Sequence, residues 1–279
     1  MTSKETSLDY RFDTRVARDY DVLRGHPAEV SVEIGRAIAS YFQPDARILE
    51  IGVGTGRIAL PVAAAGCEVF GVDLSSEMLS ALARRLEKDG NQRIHLTQGD
   101  IRALPYRDDA FDGALAVHVL HLVSDWAHVL EQVSRLVRPG GILALGRDWI
   151  DPESFSGKIR NEFRRTVVEV GTEMLPPGAT AAAPPSGGAA IVKCLMDLGA
   201  APIGEGEVVG AEWTTELTPR QVLDGIGSRD DAESWVLPDD VLTETMRRLE
   251  AYAANEWEDL TAPQPVMRRF MIGLFRFSD

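Results

Sequence analysis

The sequence predicts an α/β protein organised on a mostly parallel sheet, and three observations carry that expectation. An apolar run, Ile48-Leu49-Glu50-Ile51, breaks at once into Gly52-Val53-Gly54-Thr55-Gly56-Arg57, the pattern of a buried strand, a tight turn and a helix. Four more strand-like runs, at 67–72, 93–97, 111–117 and 142–145, alternate with helix-length segments. That alternation means βαβ units joined by right-handed crossovers. Finally, Arg138-Pro139-Gly140-Gly141 cannot continue the helix before it and reads as a turn into the fifth strand.

The elements follow in order. Residues 9–24 place Tyr10, Phe12, Val16, Tyr20 and Leu23 along one helical face, and after Pro27 a second helix carries Val30, Ile34, Ile38 and Tyr41. Glycines at 52, 54 and 56 permit positive φ and close approach of a ligand to the main chain. The helix that follows them aims unpaired amides at an anionic group. That short helix holds Ile58, Leu60 and Val62, with Pro61 either kinking it or sitting within its first turns. Ser75 suits the N-cap of a helix whose apolar face is Met78, Leu79, Leu82 and Leu86. Ser124 or Asp125 starts the helix that runs through Val137.

Beyond the fifth strand, residues 152–170 read as a helix, 176–188 as a mobile loop rich in Pro, Ala and Gly, and 189–198 as a helix ending at Gly199. Strand-like runs recur at 207–213 and 266–277, with helical segments at 219–226 and 238–257 between them.

Composition narrows the function classes. The 279 residues carry a formal net charge of -14, which opposes binding of nucleic acid over most of the surface. No run approaches the ~20 apolar residues of a membrane span, and residues 1–7 lack the apolar core of a secretory signal. Cys67 and Cys194 have no metal spacing and read as reduced core thiols. A cytoplasmic location is expected.

In parallel sheets of this kind ligands sit beyond the carboxyl ends of the strands. Glu50, Asp73, Asp100 and His118 all lie at or just after such ends, so they are expected to converge on one crevice. The glycine loop alone leaves the ligand open. Counted as G-x-G-x-x-G from Gly52 or Gly54, the last position falls on Arg57 or Ala59, and alanine is tolerated there, so a dinucleotide stays possible.

Four stretches taken together, ILEIGVGTGR (48–57), VFGVDLSSEML (69–79), GDIRALPYRDDAFD (99–112) and LVRPGG (136–141), resemble the class I S-adenosylmethionine-dependent methyltransferases, in particular the type 11 group acting on small molecules. The resemblance implies a Rossmann-like sheet of seven strands, mostly parallel, whose last two strands form a hairpin with the final one antiparallel. The runs at 207–213 and 266–277 fit that hairpin. The implied organisation is an N-terminal helical cap (1–43), a cofactor-binding core (44–150), completion of the core (151–213), a helical insertion covering the substrate site (214–265) and a terminal strand (266–279).

The implied cofactor is S-adenosylmethionine and the implied partner a small-molecule methyl acceptor. On that pattern the amides around Gly52, Gly54 and Gly56 face the methionyl portion, and Glu50 attracts its ammonium group or else caps the loop amides. Asp73 accepts from the ribose hydroxyls, and Leu74 and Met78 pack on the adenine. Asp100 accepts from the adenine amino group, the Ile101 amide donates to a ring nitrogen, and Val117 stands on the cofactor side. Tyr20, in a segment similar to A-x-x-Y-D, either covers the cofactor or packs its own helix. His118 and His121 are the candidate bases, their i, i+3 spacing suggesting one helical face, although His121 suits a structural role equally. Two histidines without a third ligand do not make a metal site. Trp149, Trp213 and Trp235 are candidates for a pocket wall, with Arg147 and Asp148 leading into its mouth. An NAD-dependent oxidoreductase and a non-catalytic S-adenosylmethionine sensor are the competing readings.

Overall fold

β1 (Arg47–Ile51) is the strand around which the others are laid. Its side chains Ile48, Leu49 and Ile51 are fully buried, because it lies between two parallel neighbours, β2 (Glu68–Asp73) and β4 (Phe111–Val117). The computed structural model describes residues 25–278 apart from 91, 175–187, 231 and 236. The helix expected over 9–24, Tyr20 with it, lies outside the described residues, as does all but Gly188 of the loop expected at 176–188.

The sheet runs β3 (Ile94–Gln98), β2, β1, β4, β5 (Val137–Ile150), β8 (Gln264–Phe277), β6 (Ala200–Pro202), and β7 (Val208–Leu217) also pairs with β8. The first five strands are parallel, whereas β8 is antiparallel to β5 and β6. The parallel part is the sheet that the sequence predicts, and the antiparallel final strand is the one that the family resemblance implies.

Two details differ. The stretch Ala200–Pro202 pairs with β8 without any signal in the sequence, since three residues show no periodicity and a proline is tolerated on such an edge. The fifth strand begins at Val137, ahead of the expected Ile142. Val137 pairs with Phe111, and the register then shifts before Ile142 pairs with Gly113. Pro139-Gly140-Gly141 occupy that irregularity, with Gly140 at φ +71, so the expected turn is a bulge within the strand.

Helices α1 (Ala28–Ala39), α2 (Ala59–Ala64), α3 (Ser76–Asp89) and α4 (Trp126–Leu136) accompany these strands. Ser75 caps α3 as expected, its side chain accepting from the Met78 amide at 3.2 Å, and Gly90 closes the helix in the left-handed conformation. Pro61 sits in the first turn of α2, where its missing N–H costs nothing.

Among the described residues the chain divides into two compact units, one of residues 25–147, 188–211 and 270–278, the other of 148–174 and 212–269. The core of the first joins Leu49, Ile51, Val72, Phe111 and Leu143 to Leu130 and Val133 of α4, to Leu195 of the later helix Gly188–Asp197, and to Phe275 and Phe277 of β8. The second unit holds α5 (Phe155–Met174), then, after the helix just named (α6), α7 (Pro219–Gly227), α8 (Ala232–Trp235) and α9 (Asp239–Glu256). A capping box between Thr218 and Gln221 starts α7. The expected division assigns 151–213 to completion of the sheet core. Instead α5 buries Phe155, Ile159 and Phe163 against Leu223 and Ile226 of α7 and Val241 and Leu249 of α9.

A helix glycine usually weakens a protein by about 1 kcal/mol relative to alanine. At Gly35 in α1 the sign reverses, because a Cβ there would stand 2.4 Å from the Pro61 carbonyl oxygen, a backbone atom that cannot step aside. Gly35→Ala is expected to lower unfolding stability by about 1–3 kcal/mol, read as a shifted urea midpoint; a stabilised variant would contradict this packing.

Candidate active site

The parallel register brings the ends of four strands level. Ile51 of β1 stands opposite Val72 of β2 and Ala116 of β4, and Asp73 opposite Gln98 of β3. The turns that leave these ends therefore open on one side, and there they wall a cavity of about 740 Å³, counting space open to solvent. Gly52, Gly54, Asp73, Leu74, Met78, Asp100, Ile101, Val117 and His118 line it, joined by Arg102, Val119, Leu122 and Val123.

The three glycines do different work. At Gly54, φ is +55 and nothing stands within 4 Å of where a Cβ would point, so the main chain is bare toward the cavity. At Gly56 a Cβ would meet Leu82 Cδ1 at 2.4 Å, which makes this the packing glycine against α3, and it is not on the cavity wall. The amides depart from expectation. Gly52 and Val53 both donate to the Val72 carbonyl, at 2.8 and 3.1 Å, Gly54 donates to Asp73 Oδ2 at 2.9 Å, and Gly56 donates to the Val53 carbonyl at 3.0 Å. The end of β2 captures the loop amides before any ligand can.

That bond also places Asp73. Its Oδ2 takes the Gly54 amide and its Oδ1 the Ser75 amide at 2.9 Å. Burial pushes its carboxyl above the usual range, opposed by those amide bonds. Leu74, next in sequence, is 42% exposed at the lip of the cavity, whereas Met78 beneath it is 1% exposed.

Asp100 is tied to a partner the sequence reading passes over. Arg102 Nε lies 3.0 and 3.1 Å from its two carboxylate oxygens, Arg102 Nη2 donates to Oδ2 at 2.7 Å, and the Arg102 amide donates to Oδ1 at 2.9 Å. Ile101 is buried between them.

Glu50 stands beneath the loop, 2% exposed, and its Oε2 has no hydrogen-bond partner. Burial pushes its carboxyl up to about 8, with Arg57 pulling it down and Asp73 pushing it further up. A buried carboxyl with an unsatisfied oxygen is costly unless something cationic completes it.

The histidines separate. β4 ends at Val117, His118 turns with φ +51, and Leu120–Leu122 form a short 3-10 turn, so the expected common helical face does not exist. Their rings stand 6.4 Å apart and nearly perpendicular. His118 lines the cavity; His121 is exposed and does not. The missed wall residues Val119, Leu122 and Val123 lie in the same apolar run, whose irregular turn gives no periodic signal. Among the described residues no cluster of His, Cys, Asp and Glu could hold a metal ion, and no helix is long and apolar enough to cross a membrane. Arg147 and Trp149 fall within β5; Arg147 pairs with Glu207, and Arg269 lies over the Trp149 ring.

Strand order, antiparallel final strand and a cavity at the β1 to β4 ends define the class I methyltransferase architecture. Residues 49–145 match the model of a methyltransferase domain, and that stretch is similar to the S-adenosylmethionine-dependent methyltransferases. It is similar to 27-O-demethylrifamycin SV methyltransferase of Amycolatopsis mediterranei, 38% identical over 102 residues, which are 36% of this chain and 38% of that protein. It is also similar to demethylmenaquinone methyltransferase of Streptomyces avermitilis, 32% identical over 149 residues, 53% of this chain and 58% of that one. The chain thus spans less than two thirds of the length of either relative. Haemonchus contortus phosphoethanolamine N-methyltransferase 2, solved with S-adenosyl-L-methionine, shares the fold at TM-score 0.56 and 16% identity, covering 100% of this chain and 62% of that one.

Because folded Glu50 holds a proton that an unfolded glutamate releases above pH 4.5, its contribution lowers stability as pH rises toward about 8 and is level beyond. The slope is at most about 1.4 kcal/mol per pH unit. Glu50→Gln is expected to gain stability over wild type as pH goes from 5.5 to 7.5 in chemical unfolding; a pH-independent difference would refute it.

Proposed function

We propose that this chain transfers the methyl group of S-adenosylmethionine to a small-molecule acceptor. The observation that carries the reading is Glu50: a buried carboxyl with an unpartnered oxygen, under a glycine turn whose amides are already taken. Such a site favours a cation, and with the Gly52, Val53 and Gly54 amides taken by the end of β2 the loop offers a pyrophosphate fewer donors than a dinucleotide site needs. S-adenosylmethionine brings an ammonium for Glu50, a ribose diol for Asp73 and an adenine for the Leu74 and Ile101 surfaces, and supplies the reactive methyl on its sulfonium.

In this reading the chain contributes position above all. Bare main chain at Gly54 admits the methionyl portion, and Asp73, fixed by two amides, holds the ribose. Displacement at a sulfonium carbon needs alignment and loses charge as it proceeds, so orientation in a largely apolar cavity supplies most of the acceleration. His118, turned into that cavity by its positive φ, takes the acceptor proton where there is one to lose. His121 stands outside the wall and is assigned no chemical step; Tyr20 is proposed to cover the cofactor. The relatives' names point to different acceptors, so the acceptor is assigned here as a small organic molecule. The net charge and two free cysteines suit a cytoplasmic protein.

Calorimetry with S-adenosylhomocysteine is expected to show binding that Asp73→Ala weakens by about tenfold or more, and absence of binding to the wild type would reject the cofactor. With labelled S-adenosylmethionine and a metabolite extract, transfer of label is expected; binding without transfer would favour a sensor. His118→Ala is expected to lower turnover on the acceptor so found by about 100-fold while leaving cofactor affinity within about threefold, and an equal loss in both would remove the base assignment.

A further inference from the structure

One charged side chain on the cavity wall has no part in that reading. Arg102 makes four close polar contacts with the carboxylate two residues before it, although both side chains are more than a third exposed. An ion pair so placed contributes little to stability. Stability therefore does not account for a geometry that ties down the whole carboxylate.

The surrounding turn is held as firmly. The Gly99 amide donates to the Asp73 carbonyl at 3.0 Å, fastening the exit of β3 to the exit of β2, and the Ala103 amide donates to the Asp100 carbonyl at 3.0 Å. From α4, His128 Nε2 donates to the Arg102 carbonyl at 3.1 Å, while its Nδ1 faces Glu131 at 3.1 Å. The bond to Glu131 holds the His128 imidazole above its usual range, consistent with both ring nitrogens acting as donors. Asp100 thus has its backbone, its carboxylate plane and its neighbour's carbonyl fixed at once.

The geometry points to Arg102 as a positioning residue for base specificity: it holds the Asp100 carboxylate in one orientation on the cavity wall, as an acceptor for the exocyclic amino group of an adenine. This rests on the proposed cofactor and goes beyond it. A carboxylate only accepts. Held still, it rewards an amino group at position 6 of a purine and opposes an oxo group there, acceptor against acceptor; able to rotate, it loses that discrimination. The pair would then serve selection between otherwise identical nucleosides rather than affinity as such.

The test compares S-adenosylhomocysteine with S-inosylhomocysteine, which differs from it by an oxo group in place of that amino group, by calorimetry on wild type, Arg102→Leu and Arg102→Lys. Wild type is expected to favour the adenine compound by about 20-fold or more, since a site built for a hydrogen bond rejects the analogue that lacks it. Arg102→Leu is expected to reduce that ratio at least about fivefold, and Arg102→Lys, which keeps the charge without the fork, to fall between. Both ligands are measured on the same preparation, so a partly unfolded variant leaves the ratio intact. A ratio unchanged or raised in Arg102→Leu overturns the proposal, as does a wild type that does not discriminate. A wild type that binds neither compound overturns the cofactor reading and this proposal with it.

Discussion

The register of four parallel strands is the constraint from which the site follows. Backbone pairing sets Ile51 level with Val72 and Ala116, and Asp73 level with Gln98. Four turns distant in sequence must then leave the sheet at one height and on one side. A slip of one residue in any strand would turn its side chains to the opposite face, and the buried apolar runs of β1, β2 and β4 resist that. The same burial that specifies the fold thus aligns the chemistry.

Within that frame the tightest coupling is between the glycine turn and the end of β2. The Val72 carbonyl and the Asp73 carboxylate between them take the amides of Gly52, Val53 and Gly54. A loop of this composition could have presented those amides to a phosphate, but here they are spent on the protein itself. What remains toward the ligand is bare main chain at Gly54 beside the carboxylates of Asp73 and Asp100. Glu50, buried with one carboxyl oxygen unpartnered, is the group that the proposed cationic amino acid moiety would complete. Arg102 applies the same economy at the other end of the cavity, converting a mobile surface carboxylate into a fixed one.

Function in this architecture is divided between a register-determined half and a half shaped by local irregularity. His118 enters the cavity because the chain adopts positive φ just after β4, and His121 leaves it because a short 3-10 turn follows. An imidazole at a positive-φ position on a cavity wall is a feature the surrounding structure must sustain.

By itself the sequence determined the parallel βαβ order and the meeting of Gly54, Asp73, Asp100 and His118, because alternating apolar runs and glycine turns are local signals of period and backbone freedom; the antiparallel last strand followed only from the family resemblance. Tertiary structure decided the rest. Which atoms satisfy the loop amides depends on the neighbouring strand end, invisible in the loop's own residues. The bulge at Pro139-Gly140-Gly141 arises from pairing with β4, although the same residues read alone spell a turn. The helix after residue 150 belongs with α7 and α9 because of where its apolar face finds partners, and an amphipathic pattern names a buried face without naming what buries it. Arg102 was unremarkable in the sequence for the same reason: a charge two residues from a carboxylate gains meaning when a turn folds one onto the other.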